Sequence, residues 1–312
     1  MDRNLALEFV RVTESAAIAA SKWLGRGDKK AADHAAVTAM RNGFNSISFR
    51  GTVVIGEGEK DHAPMLYIGE QLGIPENGAP EFDIAVDPLE GTTLIAEGRP
   101  GAISVIAFGP KGTLFNPPGT YMDQLSVGKS GRGKINILDP LEENIRRVAG
   151  ACNKKLSEFT VAILLRDRNQ LYIDEARRIG CRVVLFDHGT VAHGLAPAIA
   201  HWDIDMMAGI GGAPEAVITA AGIKCLGGDM QAVLKPHAEI FKAQALARGM
   251  SLDKIYTLNE LVAGDALFVA TGVSPSPILR GVSFGENEIV THSIVMRSET
   301  KVHRLIESHY SE

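Results

Sequence analysis

The stretch Asp83-Ile84-Ala85-Val86-Asp87-Pro88-Leu89-Glu90-Gly91-Thr92 decides how the rest of the chain is read. Alternate residues of a strand share a face, so Asp83, Ala85 and Asp87 point one way and Ile84 and Val86 the other. An apolar strand that ends on a carboxylate is oddly charged for a plain core. Pro88 cannot extend a ladder, so a turn is expected there, and Gly91 permits a tight turn into a helix opening at Thr92. Asp87 and Glu90 then converge on one spot beside a helix start, where anions such as phosphate are favoured. Carboxylates brought together repel one another. A divalent cation relieves that repulsion, and hard oxygen donors suit Mg²⁺ or Mn²⁺. The blander reading of the same residues is a strand followed by a capped turn.

Three further acidic elements lie outward from this stretch. Gly56-Glu57-Gly58-Glu59 follows the apolar run Thr52–Ile55, and its glycines let the backbone bend and approach a ligand. An acidic surface turn is the competing reading. In Asp28-Lys29-Lys30-Ala31-Ala32-Asp33, Asp28 is placed to cap a helix that carries Lys29 and Asp33 on one face. Lys29 and Asp33 form a surface ion pair on one reading, and a phosphate contact with a metal ligand on the other. Gly209-Ile210-Gly211-Gly212-Ala213-Pro214-Glu215 places glycines and a proline at a helix start, with Glu215 in the first turn. Helix-dipole pairing alone also accounts for Glu215. All four elements sit at strand ends or helix starts, where an α/β protein assembles a site. Arg166 and Arg168 follow the run Thr160–Leu165 and suit a second phosphate, since guanidinium binds phosphate oxygens bidentately.

The wider pattern sets the fold class. Helical spacing is expected over 4–24 and from Asp28 to about Phe44, and strands over 52–55, 82–87 and 102–108. Beyond about Glu158 strand and helix alternate: strands over 160–165, 182–186 and 204–208, helices over 169–179, 190–200 and 214–223. That alternation implies a mostly parallel sheet with helices on its faces. Strands over 265–271, 289–297 and 301–306 close the chain. The class is therefore α/β, with an α+β first half and an α/β second half. Two domains are expected: an α+β metal-binding domain over 1–158 and an α/β substrate-binding domain over 159–312.

Composition excludes several classes. The 312 residues are 45% hydrophobic and 22% charged, an ordinary globular balance. A net charge of −5 argues against nucleic acid or an acidic membrane as the main partner. Met1 to Glu8 already carries Asp2, Arg3 and Glu8, so no secretory leader is expected, and no run approaches the ~18 apolar residues of a membrane span. Cys152, Cys181 and Cys225 are widely spaced and read as reduced thiols. A cytoplasmic protein is expected.

Asp87-Pro88-Leu89-Glu90-Gly91-Thr92 resembles the D-P-[IL]-[DE]-G-[TS] signature of the lithium-sensitive, metal-dependent phosphatases. Four more segments narrow the likeness: Trp23 to Lys29, Val54 to Glu59, Ala63 to Glu70 and Gly209 to Glu215. These are similar to the class II, bacterial-type fructose-1,6-bisphosphatases, and the likeness runs from near Met1 to about Tyr310. The resemblance implies a layered sugar-phosphatase fold and hydrolysis of fructose 1,6-bisphosphate to fructose 6-phosphate and phosphate, a gluconeogenic step, by metal-activated water. It implies Asp33, Glu57, Asp87, Glu90 and Glu215 as ligands for Mg²⁺ or Mn²⁺, with Thr92, Glu59 and Lys29 as catalytic groups. Glu90, Gly91, Thr92, Tyr121, Arg166, Arg168, His188, Gly189, Thr190 and Gly212 fall on its substrate-binding positions. A homo-oligomer, dimer or tetramer, is expected of such an enzyme. Where the family usually shows Pro-Asp-Gly-Asp, this chain has Asp187-His188-Gly189-Thr190, so both acids that would meet the sugar hydroxyls are replaced. The alternatives are a dual fructose/sedoheptulose bisphosphatase, an inositol-monophosphatase-like phosphatase, and a non-catalytic sugar-phosphate sensor, against which the presence of Thr92 and the full acid set counts.

Overall fold

Two helices open the chain because their apolar residues recur at helical spacing: α1 (Leu5–Ser21) and α2 (Lys29–Phe44). The expected cap is present, with the Ala31 N–H donating to Asp28 Oδ1 at 3.0 Å. The computed structural model describes residues 5–58, 65–76, 78–199 and 203–311. After α2 come β1 (Arg50–Ile55), β2 (Gln71–Leu72), β3 (Glu81–Glu90), α3 (Thr92–Ala96) and β4 (Ile103–Pro110). β3 pairs parallel to β1 and antiparallel to β4. Its register slips between Asp87 and Glu90, where Pro88 withholds a donor from the ladder.

Phe9 of α1 and Phe108 of β4 stack with ring centroids 4.0 Å apart, and Phe44 and Phe49 meet them edge-on or tilted. All four rings are fully buried. This aromatic knot fastens α1 and α2 to the sheet. Burial of that size contributes several kcal/mol per ring.

The next part of the chain builds a separate unit. Its elements are β5 (Tyr121–Val127), α4 (Leu141–Cys152), β6 (Thr160–Leu164), α5 (Gln170–Arg178), β7 (Arg182–Phe186), α6 (Thr190–Leu195), β8 (Met206–Gly212), α7 (Ala213–Leu226), β9 (Asp229–Lys235), α8 (Glu239–Ala247), β10 (Tyr256–Thr257) and α9 (Leu258–Leu261). Its sheet runs β10-β9-β5-β8-β6-β7. Only β7, β6 and β8 are mutually parallel, while β5 lies antiparallel to both β8 and β9. The expectation of a mostly parallel sheet is corrected: β5 enters from outside the alternating segment and sits in the middle of the sheet.

The chain then returns to the first sheet with β11 (Leu267–Gly272), β12 (Ser283–Phe284), β13 (Glu288–Arg297) and β14 (Val302–Ser311). That sheet runs β12-β13-β11-β4-β3-β1-β2, with β14 on the other edge of β13. The two compact units are therefore Met1–Leu114 with Gly264–Glu312, and Phe115–Ala263. This division differs from the expected boundary near residue 158. The reason is the pairing of β11 with β4, which joins segments some 160 residues apart and which no local pattern announces. Mixed α/β architecture itself is as expected, and no helix among the described residues is long and apolar enough to cross a membrane.

Candidate active site

In the first unit the acidic elements are positioned by backbone devices. Asp87 ends the regular part of β3, and its Oδ1 accepts the Leu89 N–H at 3.1 Å, which bends the chain through Pro88. Glu90 is buried at the last position of β3. Gly91 takes φ 98°, a left-handed conformation, and so allows Thr92 to open α3 directly. That helix is only five residues long, so its dipole is short and its first N–H groups are what it offers an anion. Asp83, on the same strand face as Asp87, has a different job. It is buried and accepts from the N–H groups of Thr113 and Leu114 at 2.9 and 3.2 Å, which satisfies it within the fold.

Glu57 follows β1, and its N–H donates to the Leu66 carbonyl at 3.0 Å. A side chain on Gly56 would collide with that same carbonyl, so the close approach requires glycine. The Leu66 N–H donates in turn to the Glu70 carboxylate, and Glu70 is held by Arg41 Nε of α2 at 2.6 Å. Arg41 and Glu70 therefore fix the turn that carries Glu57. This support was missed as a pair in the sequence, although Glu70 lies in one of the motifs quoted above. Glu59 lies outside the described residues.

The electrostatics identify two of the expected ligands as neighbours. Glu57 is pushed up to about 7, first by burial and then by the charge of Asp33. Asp33, on α2, is also raised, chiefly by burial. Lys29 lies one turn before Asp33 and is exposed. Among the described residues no group of three or more His, Cys, Asp or Glu side chains is gathered closely enough to hold a metal ion. The donor chemistry nevertheless fits a hard divalent cation, because two half-buried carboxylates, both raised by burial and one of them also by the other's charge, form an arrangement such a cation relieves.

In the second unit Glu215 lies in the first turn of α7 and is raised by burial. A side chain at Gly212 would displace the Glu215 carboxylate from its place against the backbone there. Arg168 stands over the ring of Tyr121 at 4.1 Å, and its Nε donates to the Ile210 carbonyl at 3.1 Å. Neither Nη group is engaged among the described residues, so the outer edge of this guanidinium is open to a ligand. Arg166 differs: its two Nη groups donate to the carbonyls of Leu165 and Asp187, each at 2.7 Å. Part of its donor capacity therefore holds the 187–190 loop. Gly189, at φ 86°, caps α6, which starts at Thr190. Beneath that loop His193 stacks on Phe186 at 3.9 Å, with its Nδ1 2.7 Å from the Gly189 carbonyl. Burial pushes His193 down to about 4, so the ring is neutral near pH 7 and Nδ1 carries the donated proton.

Tyr121 also meets the His237 ring at 4.4 Å, and His237 meets Phe241 at 4.7 Å. The hydroxyl of Thr120 accepts the His237 N–H at 3.3 Å and lies 3.2 Å from Nδ1. Arg168, Tyr121, His237 and Phe241 thus form one run of stacked groups. Its second half had no sequence signal, because the contact joins β5 to the segment after β9.

The structure thus couples Asp33 with Glu57 and groups Asp87, Glu90 and Thr92 around one strand end in the first unit. It groups Tyr121 with Arg168, and Gly212 with Glu215, in the second. A sequence profile described as "Bacterial fructose-1,6-bisphosphatase, glpX-encoded" matches residues 3–310. The chain belongs to this family. Its similarity to individual members is full-length: it is 43% identical to fructose-1,6-bisphosphatase 1 class 2 of Escherichia coli strain K12, covering 99% of this chain and 96% of the relative. The class 2 fructose-1,6-bisphosphatases of Escherichia coli O6:H1 and Shigella flexneri match to the same extent. The glpX-encoded bisphosphatases are metal-dependent phosphatases.

Proposed function

We propose that this chain hydrolyses fructose 1,6-bisphosphate to fructose 6-phosphate and phosphate, as a cytoplasmic gluconeogenic enzyme that uses Mg²⁺ or Mn²⁺. The observation that carries the proposal is the full-length family match combined with a half-buried Glu57 whose carboxyl is raised further by the charge of Asp33. Asp33, Glu57, Asp87, Glu90 and Glu215 are proposed as metal ligands. A bound divalent cation supplies charge neutralisation on the phosphoryl oxygens and acidifies adjacent water.

The chain's own groups do the rest. Lys29 and the N–H groups at the start of α3 hold the phosphate that is cleaved. The Thr92 hydroxyl, oriented by the carboxylate of Glu59 or Asp33, hydrogen-bonds the attacking water and aligns it with phosphorus. The water oxygen bonds to phosphorus as the bond to the sugar oxygen breaks, and a proton passes to that oxygen. Arg168, with Arg166 beside it, holds the second phosphate and thereby selects bisphosphates. Tyr121, His188, Gly189, Thr190 and Gly212 line the sugar.

The replaced acids at 188 and 190 favour a second reading, in which a seven-carbon sugar bisphosphate is also hydrolysed. Steady-state rates with fructose 1,6-bisphosphate, sedoheptulose 1,7-bisphosphate and inositol monophosphate separate these readings. Preference for the six-carbon substrate by tenfold or more supports the main proposal. Equal or greater turnover of the monophosphate overturns it.

A further inference from the structure

Gln124 sits in the middle of the second unit's sheet, opposite Gly209 of β8 on one side and Ala232 of β9 on the other. It is fully buried. Among the described residues neither end of its amide, Nε2 or Oε1, meets a hydrogen-bond partner. Its neighbours on the strand do: Asp123 accepts the Tyr172 hydroxyl at 2.6 Å, and Ser126 donates to the Gly194 carbonyl at 2.7 Å. A primary amide buried in this way gives up its hydrogen bonds to water without return, which lowers stability. Such a group in a central strand calls for an account of what it reaches.

It reaches toward the loop that faces the sugar. A Cβ built on Gly211 would stand 2.6 Å from Nε2 of Gln124 and 3.3 Å from Cγ2 of Thr190. The amide and the Thr190 side chain thus border the same small space, which is open because residue 211 is glycine. Thr190 and Gly212, the next residue along, are both proposed above to line the sugar. Gln124 itself cannot touch a sugar, because both its polar atoms are sealed from solvent. Thr190 is half-buried and opens α6, so its hydroxyl is accessible. Threonine has two accessible χ1 wells in a helix, and a step between wells turns the hydroxyl toward the amide in place of the methyl.

We propose that Gln124 is a positioning residue for the sugar, acting through Thr190 when the site is filled. Nε2 donates to Thr190 Oγ1, which leaves the Thr190 O–H to donate to a sugar oxygen. A lone threonine hydroxyl rotates freely and discriminates poorly. An amide that occupies one of its lone pairs fixes where its proton points. The proposal rests on the reading of 187–190 as the sugar loop, and it adds the buried group that orients that loop's hydroxyl.

The test combines stability and kinetics in the full chain with Mn²⁺. Gln124→Met keeps the length of the side chain and removes both polar ends. It is expected to melt at the parent's temperature or a few degrees higher, because an idle buried amide is lost. Its KM for fructose 1,6-bisphosphate is expected to rise about five- to tenfold, the worth of one hydrogen bond, with kcat held within about twofold. Inhibition by inorganic phosphate, which engages the phosphate-holding groups and not the sugar loop, is expected to be unchanged. Thr190→Val is expected to raise KM by a similar factor and the double variant no further, because the two residues act in series. A lower melting temperature for Gln124→Met marks a structural role and overturns the proposal. An unchanged KM, additive effects in the double variant, or phosphate inhibition that weakens in step with KM also overturns it. A parent that releases no phosphate from fructose 1,6-bisphosphate overturns the functional reading and this proposal with it. An active parent beside an unaltered Gln124→Met overturns the role of Gln124 alone.

Discussion

Replacing Glu57 with glutamine should stabilise the metal-free protein at pH 8 while weakening its response to metal. The Glu57 carboxyl is raised from 4.5 to about 7 by burial and by Asp33. At about 1.4 kcal/mol per pKa unit, keeping it ionised above pH 7 costs the metal-free fold roughly 3 kcal/mol. The sign follows from the direction of the shift. An acid raised by folding favours the folded state fully below its unfolded value of 4.5, and that contribution is lost as pH rises through about 7. The parent should therefore lose about 3 kcal/mol between pH 4.5 and 8 that Glu57→Gln does not lose. Urea denaturation of chelator-treated protein across this range measures the difference. The two proteins should be nearly equal at pH 4.5, with the variant ahead at pH 8. Manganese should then stabilise the parent strongly and the variant weakly. A stability difference that does not change with pH, or a less stable variant at pH 8, would refute the reasoning that Glu57 sits in a strained acidic pair.

Four further outcomes follow from particular residues. Thr92→Ala should lose turnover by about a hundredfold or more with metal binding intact, whereas Thr92→Ser keeps partial activity, read from kcat beside a metal titration. Arg168→Ala should raise KM for a bisphosphate with a smaller change in kcat. His237→Ala should do the same more weakly, roughly two- to tenfold, because it removes the stacking partner of Tyr121, and His237→Phe should restore KM. Phe9→Ala should cost about 3–5 kcal/mol of stability, since it empties the centre of the aromatic knot without touching any acidic group.

The sequence was most legible where a local device carries the meaning. Asp28 capping α2 and Gly91 turning β3 into α3 are decided by backbone chemistry within a few residues. It was least legible where structure depends on distant pairing. β5 reads Tyr-Met-Asp-Gln-Leu-Ser-Val, and its buried Asp123, Gln124 and Ser126 hide a central strand behind a polar composition. Antiparallel placement of β5 between β8 and β9 could not be anticipated from the alternation of strands and helices around it. The same holds for β11, whose pairing with β4 moves the closing strands into the first unit. Among the site residues, the acids and arginines were visible because their chemistry is unusual at those positions. Arg41 and Glu70 were less so, since an ion pair 29 residues apart in sequence leaves no periodic trace.

Release of inorganic phosphate from fructose 1,6-bisphosphate by chelator-treated protein, with and without added Mn²⁺, bears most directly on the proposed chemistry. The account predicts turnover that appears only with the cation, is suppressed by Li⁺, and is absent from Glu57→Gln at every Mn²⁺ concentration. Undiminished phosphate release without any divalent cation, or wild-type rates from the glutamine variant, would contradict it.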